Sequence, residues 1–176
     1  GCAVIPIELV WFIIVLIFGL IGVVRGYLKE LGVTTVVVLM LFAFITFEKR
    51  VAPIAAKLAA VLAPCQDDKI QAAVWVLGIA VVAFVSYHGQ TLAFEGTLPK
   101  TPWVVPLNLG AGLVNGYLIA GSIWHYLNRL GYPFLGIQPQ DLSPMAQGLV
   151  PLMPPCLLAP YLLYLGVFLL LMRVIR

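Results

Sequence analysis

The chain has 176 residues, 62% of them hydrophobic and only 10% charged, with a net charge of +3. Soluble domains carry about 25% charged residues, so this composition excludes a water-soluble globule: lipid has to cover the apolar surface. The Lys and Arg residues are scattered and form no stripe of the kind that reads nucleic acid.

A helix must supply roughly 17–25 apolar residues to cross a hydrocarbon core about 30 Å thick. Residues 6–24 meet this, with Glu8 as their one charge, near the mouth of the span. No basic residue precedes the stretch and no small-residue cleavage site follows it, so it is read as a retained span and not a signal peptide. Residues 31–47 form a second, uncharged stretch, flanked by Lys29, Glu30, Glu48 and Lys49. Only Arg25-Gly26-Tyr27-Leu28-Lys29-Glu30 joins it to the first. Residues 72–94, 107–126 and 157–172 are the third, fourth and fifth, the last closed by Arg173 and Arg176. The β-branched runs Thr34-Thr35-Val36-Val37-Val38 and Val81-Val82 would argue for strands in water. In lipid a lone segment satisfies its backbone only by bonding to itself, so these are helices. The expectation is an all-α integral membrane helical bundle: one membrane domain over residues 1–176 with five transmembrane helices.

The connections add detail. Residues 53–62, Ala-rich with Pro53 at their start, predict an interfacial helix lying along the membrane. Residues 95–106 hold three prolines and predict a stiff loop. Residues 131–155 hold six prolines, yet their only charge is Asp141. That segment is too apolar for a solvated linker and is expected in the headgroup zone or folded against the bundle. Asp67-Asp68 reads as a surface turn.

Five spans leave the basic residues divided five against five between the two faces, which decides nothing under the positive-inside rule. Weighting the first span places Arg25 and Lys29 in the cytoplasm. Cys2, Cys65 and Cys156 then share the outer face, where a disulfide between Cys65 and Cys156 is chemically open. Each cysteine also has a plain role as a small apolar residue.

Gly22 and Gly26 are four apart, as are Gly112, Gly116 and Ala120. Each set makes a smooth strip where a neighbouring helix backbone can approach, so these residues are candidate helix contacts. Arg25 and Glu30 form a charge pair at the turn between two spans. They read as a boundary anchor or as a polar gate or docking point for a partner. Asn108 and Asn115, seven apart in the fourth span, read as hydrogen-bonding glue between helices or as the lining of a solute path. Glu8 reads as exposed to headgroups, with an ion path as its alternative.

His88 ends the third span and His125 the fourth. In antiparallel helices they fall toward opposite faces and cannot share a metal. Each alone is a weak candidate ligand for haem or a pigment, beside its plain role as an interfacial polar group. Trp11, Trp75, Trp103 and Trp124 lie near span ends and read as belt anchors. Catalysis finds no support: there is no His-Glu-x-x-His, no Gly-x-Ser-x-Gly and no phosphate-binding Gly-rich loop with a lysine. No metal and no cofactor are expected, and the chain is not expected to be an enzyme.

The sequence Gly22-x-x-Arg25-Gly26-x-x-x-Glu30, running straight into a second span, resembles the start of the colicin V production protein (CvpA) family. The likeness continues at Gly110-Ala111-Gly112-Leu113-Val114-Asn115-Gly116, which is similar to the family's Gly-rich fourth helix. It covers residues 5–145, a four-helix core, and leaves residues 146–176 as an additional C-terminal span. The resemblance implies a multi-span protein of the bacterial cytoplasmic (inner) membrane, linked to colicin V production or export, a toxin biosynthetic process, and to envelope maintenance. Two other readings stand beside it. One is an accessory subunit of a photosynthetic or respiratory complex, docking through the fifth span and residues 131–155. The other is an oligomeric channel or transporter. The expected partners are lipid and other membrane subunits or further copies of the chain.

Overall fold

The computed structural model describes residues 6–62, 67–89, 92–98 and 100–175. Among them there is no strand. The long helices are α1 (Ile7–Arg25), α2 (Tyr27–Leu62), α3 (Asp67–His88) and α4 (Val104–Arg129). These four are long and apolar enough to cross a membrane, and the protein is a helical membrane bundle. Two short helices, α5 (Pro144–Leu149) and α6 (Pro154–Leu157), follow, and then α7 (Leu162–Ile175).

Several element bounds differ from those expected. The second span and the interfacial helix are one continuous helix, α2, which runs through Pro53. Its 36 residues extend about 54 Å at 1.5 Å each, well beyond a hydrocarbon thickness of about 30 Å. Asp67 and Asp68 are no turn: they open α3. The third span ends at His88 and not near residue 94. Phe94 instead lies in the loop that follows, and its N–H donates to the Leu28 carbonyl at 3.3 Å. The fifth apolar helix, α7, has 14 residues, about 21 Å, shorter than the other four.

α4 is the hub. It runs antiparallel to α1, with Phe18 against Gly112 and Val15 against Gly116. It runs parallel to α2, which it meets at Asn115 and again where Arg129 pairs with Glu48. α3 packs antiparallel to both α2 and α4, with Trp75 edge-on to Phe44 and stacked on Tyr126 at 4.8 Å. α7 lies on α2, where Gly166 admits Leu39. The core draws Val33, Val37 and Leu41 from α2, Ile79 from α3, Leu118 from α4 and Leu162 from α7. Of the β-branched residues expected to be helical, Thr34, Thr35, Val37 and Val38 line the interior face of α2, whereas Val81 of α3 is exposed.

The proline-rich segment folds back against the bundle. Tyr132, Ala146 and Met153 are buried beside Trp124, and Trp124 Nε1 donates to the Tyr132 hydroxyl at 2.8 Å. That hydroxyl donates to Asn128 Oδ1 at 3.1 Å. Pro154 seats against Gly121 of α4. Ser143 caps α5 by accepting from the Ala146 N–H and donates to Glu8 Oε1 at 2.6 Å, tying the segment to α1. Trp75 and Trp124, expected to face outward as belt anchors, are buried in the core, because aromatic stacking and the Tyr132 bond offer them partners inside. Trp103 is exposed.

Candidate functional site

The turn from α1 to α2 is a single residue. Gly26 has φ +90°, a conformation that favours glycine, and its N–H closes α1 on the Gly22 carbonyl at 2.9 Å. Gly26 therefore corrects one expectation: it is a hinge, and a Cβ there would meet Leu98 and no neighbouring span. The reversal brings Arg25, the last residue of α1, over Glu30 in the first turn of α2.

Glu30 is fully buried and every acceptor on it is engaged. Arg25 Nε donates to Oε1 at 3.0 Å. The Tyr87 hydroxyl, from α3, donates to Oε2 at 2.8 Å, and Asn115 Nδ2, from α4, donates to the same oxygen at 2.7 Å. Asn115 Nδ2 also reaches the Glu30 carbonyl at 3.0 Å. Since carboxylate and carbonyl only accept, the orientation of the Asn115 amide is dictated. Its Oδ1 lies 2.6 Å from Thr34 Oγ1, which also lies 2.9 Å from the Glu30 carbonyl oxygen. A hydroxyl has one proton, so Thr34 donates to one of the two at a time.

Arg25 is held on three sides. Its Nη1 donates to the Tyr87 carbonyl at 2.9 Å, near the C-terminus of α3, where a cation is favoured by the helix dipole. Its guanidinium lies 4.8 Å from the Tyr87 ring centroid, a cation–π distance. Asn108 completes the cluster from α4: its Oδ1 accepts from the Tyr27 N–H at 2.8 Å, satisfying one of the amides that a helix N-terminus leaves open. One carboxylate thus gathers side chains from all four long helices. Two residues of this clasp were not singled out in the sequence. Thr34 sits one helical turn beyond Glu30, on the same face. Tyr87 carried no signal beyond being a polar aromatic at a span end.

The clasp stands on close backbone contact between α1 and α4. A Cβ at Gly22 would lie 2.4 Å from the Asn108 carbonyl, and one at Gly112 would lie 2.3 Å from the Phe18 carbonyl. A Cβ at Gly116 would lie 2.9 Å from the Val15 Cα atom. Gly19, also unmarked in the sequence, completes the α1 strip against Leu113. Ala120, the last residue of the proposed α4 strip, is buried and lines a cleft beside α1.

The other candidates lie apart. His88 is exposed and stacks on Phe84 at 5.6 Å. His125, at the opposite end of the bundle, has Nδ1 3.3 Å from Cys156 Sγ. Among the described residues, no three His, Cys, Asp or Glu side chains gather in a way that would hold a metal. Cys2 and Cys65, and with Cys65 the disulfide to Cys156, lie outside the described residues.

The fold and the clasp define a helical membrane protein whose long helices are joined at one end by an ion pair with a buried carboxylate. No protein-family model, curated protein or solved structure matches the chain.

Proposed function

We propose that the protein is a non-enzymatic membrane protein of the CvpA-like type, with a structural role in export or envelope maintenance in the bacterial cytoplasmic membrane. The observation that carries this reading is the clasp. Of the residues that carry the family resemblance, Arg25, Glu30 and Asn115 meet at one place, Gly26 makes the turn beside it, and Gly22, Gly112 and Gly116 line the α1–α4 contact that leads away from it. Their joint effect is to hold helices together. A general acid or base needs an open position beside its substrate, whereas both oxygens of Glu30 already have protein partners and no exposure. Asn115 is fully buried with both its amide atoms engaged, which favours glue over the lining of a solute path.

The test is extraction from native membranes in mild detergent, with mass spectrometry and an absorption spectrum of whatever migrates with the chain, followed by flux measurements in liposomes. A small colourless particle without solute flux is the expected outcome. Migration in fixed ratio with a large pigmented or redox complex would replace the reading with that of an accessory subunit. Flux lost on replacing Asn108 or Asn115 would replace it with that of a channel.

A further inference from the structure

Residues 152–156 form a strap along one face of α4 and touch it at three points, each one helical turn from the next. The Tyr117 hydroxyl donates to the Leu152 carbonyl, Pro154 seats against Gly121, and His125 Nδ1 lies 3.3 Å from Cys156 Sγ. Pro154 and Pro155 are buried, and proline locks its φ at about −65°, so the strap holds Cys156 at a set place against α4. Cys156 is nonetheless exposed and carries a free thiol. Leu152, Leu157 and Tyr161 beside it in the chain are exposed as well.

A thiol attacks as its thiolate, and an imidazole within hydrogen-bond reach is the base that generates it. With the ring proton on Nε2, His125 Nδ1 accepts from the Cys156 S–H, and the exposed side of the sulfur is left open to an electrophile. Two side chains are too few for a zinc site, and among the described residues no third ligand gathers. The depth of the pair says which electrophile fits. His125 stands one turn from Arg129, whose partner is Glu48, and the exposed apolar side chains of α7 begin a few residues after Cys156. The sulfur therefore sits where charged surface meets lipid-facing surface. A long-chain acyl thioester brings its carbonyl to that depth, because the chain enters lipid while a charged carrier stays in water.

We infer that Cys156 is an acylation site, which takes an acyl group from a long-chain acyl-coenzyme A with His125 as its base. The sulfur attacks the thioester carbonyl carbon as its proton passes to His125 Nδ1. A new C–S bond forms, the C–S bond to coenzyme A breaks, and the proton leaves with the coenzyme A thiolate. One thioester replaces another, so the step needs no oxidant or reductant. The site is separate from the clasp and independent of the CvpA-like reading.

The experiment is incubation of the full chain in nanodiscs with palmitoyl-coenzyme A, read by intact mass and peptide mapping before and after neutral hydroxylamine, which cleaves thioesters. One palmitoyl group on Cys156, removed by hydroxylamine, is expected, and Cys156→Ser loses it. His125→Gln slows the reaction about tenfold near pH 7, where an unaided thiol is only a few per cent ionised. It also moves the rise of rate with pH from the imidazole range, about 6.5, to the thiol range, about 8.5, a shift that loss of a merely structural histidine would not produce. The other titratable or charged groups around the pair are Tyr117, Tyr126 edge-on to the imidazole at 5.1 Å, and Arg129 with Glu48, and all are kept in both variants. Acetyl-coenzyme A, which does not enter lipid, reacts more slowly than palmitoyl-coenzyme A. Each variant is read only as a folded particle with a cooperative melt. Overturning outcomes are no acyl gain on Cys156, the same rate and pH profile in the wild type and His125→Gln, or equal rates with the two thioesters.

Discussion

The two ends of the bundle are held together by different physics. At the end where α1 turns into α2, the contacts are ionic and directional: Arg25, Tyr87 and Asn115 converge on the Glu30 carboxylate. At the other end, Tyr132, Ala146 and Met153 pack on Trp124 under a proline-rich cover, and the polar links are separate and single: Trp124 to Tyr132, Ser143 to Glu8, and the half-exposed pair of Arg129 with Glu48. Lipid tails are as apolar as leucine, so burial of hydrocarbon adds little to helix association in a membrane, and packing and hydrogen bonds must do it. The first end solves this with one strong polar centre. The second solves it by shape, with many weak contacts. A single substitution should therefore be far more damaging at the first end than at the second.

Glu30→Ala is the sharpest way to break that contrast. It leaves Arg25 partly buried without its counter-ion and strips acceptors from Tyr87 and Asn115, so a loss of about 3–5 kcal/mol is expected, read as a large fall in the melting temperature in detergent. The double variant Arg25→Ala with Glu30→Ala should recover part of that loss. A Glu30→Ala protein melting like the wild type would mean that the clasp contributes nothing to the fold.

Gly112→Ala tests the backbone contact that carries the clasp. The added methyl meets the Phe18 carbonyl and the Gly19 and Gly22 Cα atoms, all of them main chain and unable to step aside. Forcing the helices apart should cost about 1–3 kcal/mol and loosen the Asn115 bonds as well. Gly110→Ala, at a position with open space around it, is the matched control and should leave the melting temperature within error or raise it.

At the other end Tyr132→Phe removes the hydroxyl that links Trp124 to Asn128, for an expected loss of about 1 kcal/mol. Burial holds the Tyr132 hydroxyl above its ordinary pKa. For a group whose folded pKa is raised, the stability is complete below the unfolded value of about 10 and is lost as pH rises through the folded pKa. An alkaline melting series should show that loss in the wild type and a smaller one in Tyr132→Phe. The smallest effect is expected from Glu48→Gln. Its partner Arg129 is half exposed, and a pair of that kind contributes within about 1 kcal/mol, further reduced by salt.

The sequence made the charge pair visible but not the burial of its carboxylate. Arg25 and Glu30 stand at a span boundary, and nothing in the residue order states that Glu30 is fully buried. That follows from the one-residue hinge at Gly26 together with the arrival of Tyr87 and Asn115, which are 57 and 85 residues away along the chain. Gly22, Gly112 and Gly116 could be marked by their spacing, since a close helix contact needs small residues at one-turn intervals. Gly26 shared the spacing with a different task, because spacing does not reveal φ.

By itself the sequence determined the solvent, the helical class and the approximate position of each long helix. Those depend on how many apolar residues stand in a row and on the need of each backbone segment to bond within itself in lipid. The tertiary structure alone decided that α2 runs unbroken through Pro53, that Trp75 and Trp124 turn inward, and that the proline-rich segment covers one end of the bundle. It also decided that one carboxylate joins four helices and that α1 stands off α3 to leave an apolar cleft. Such features depend on which faces meet, and a hydrophobic pattern that is apolar all round a helix carries no record of that choice.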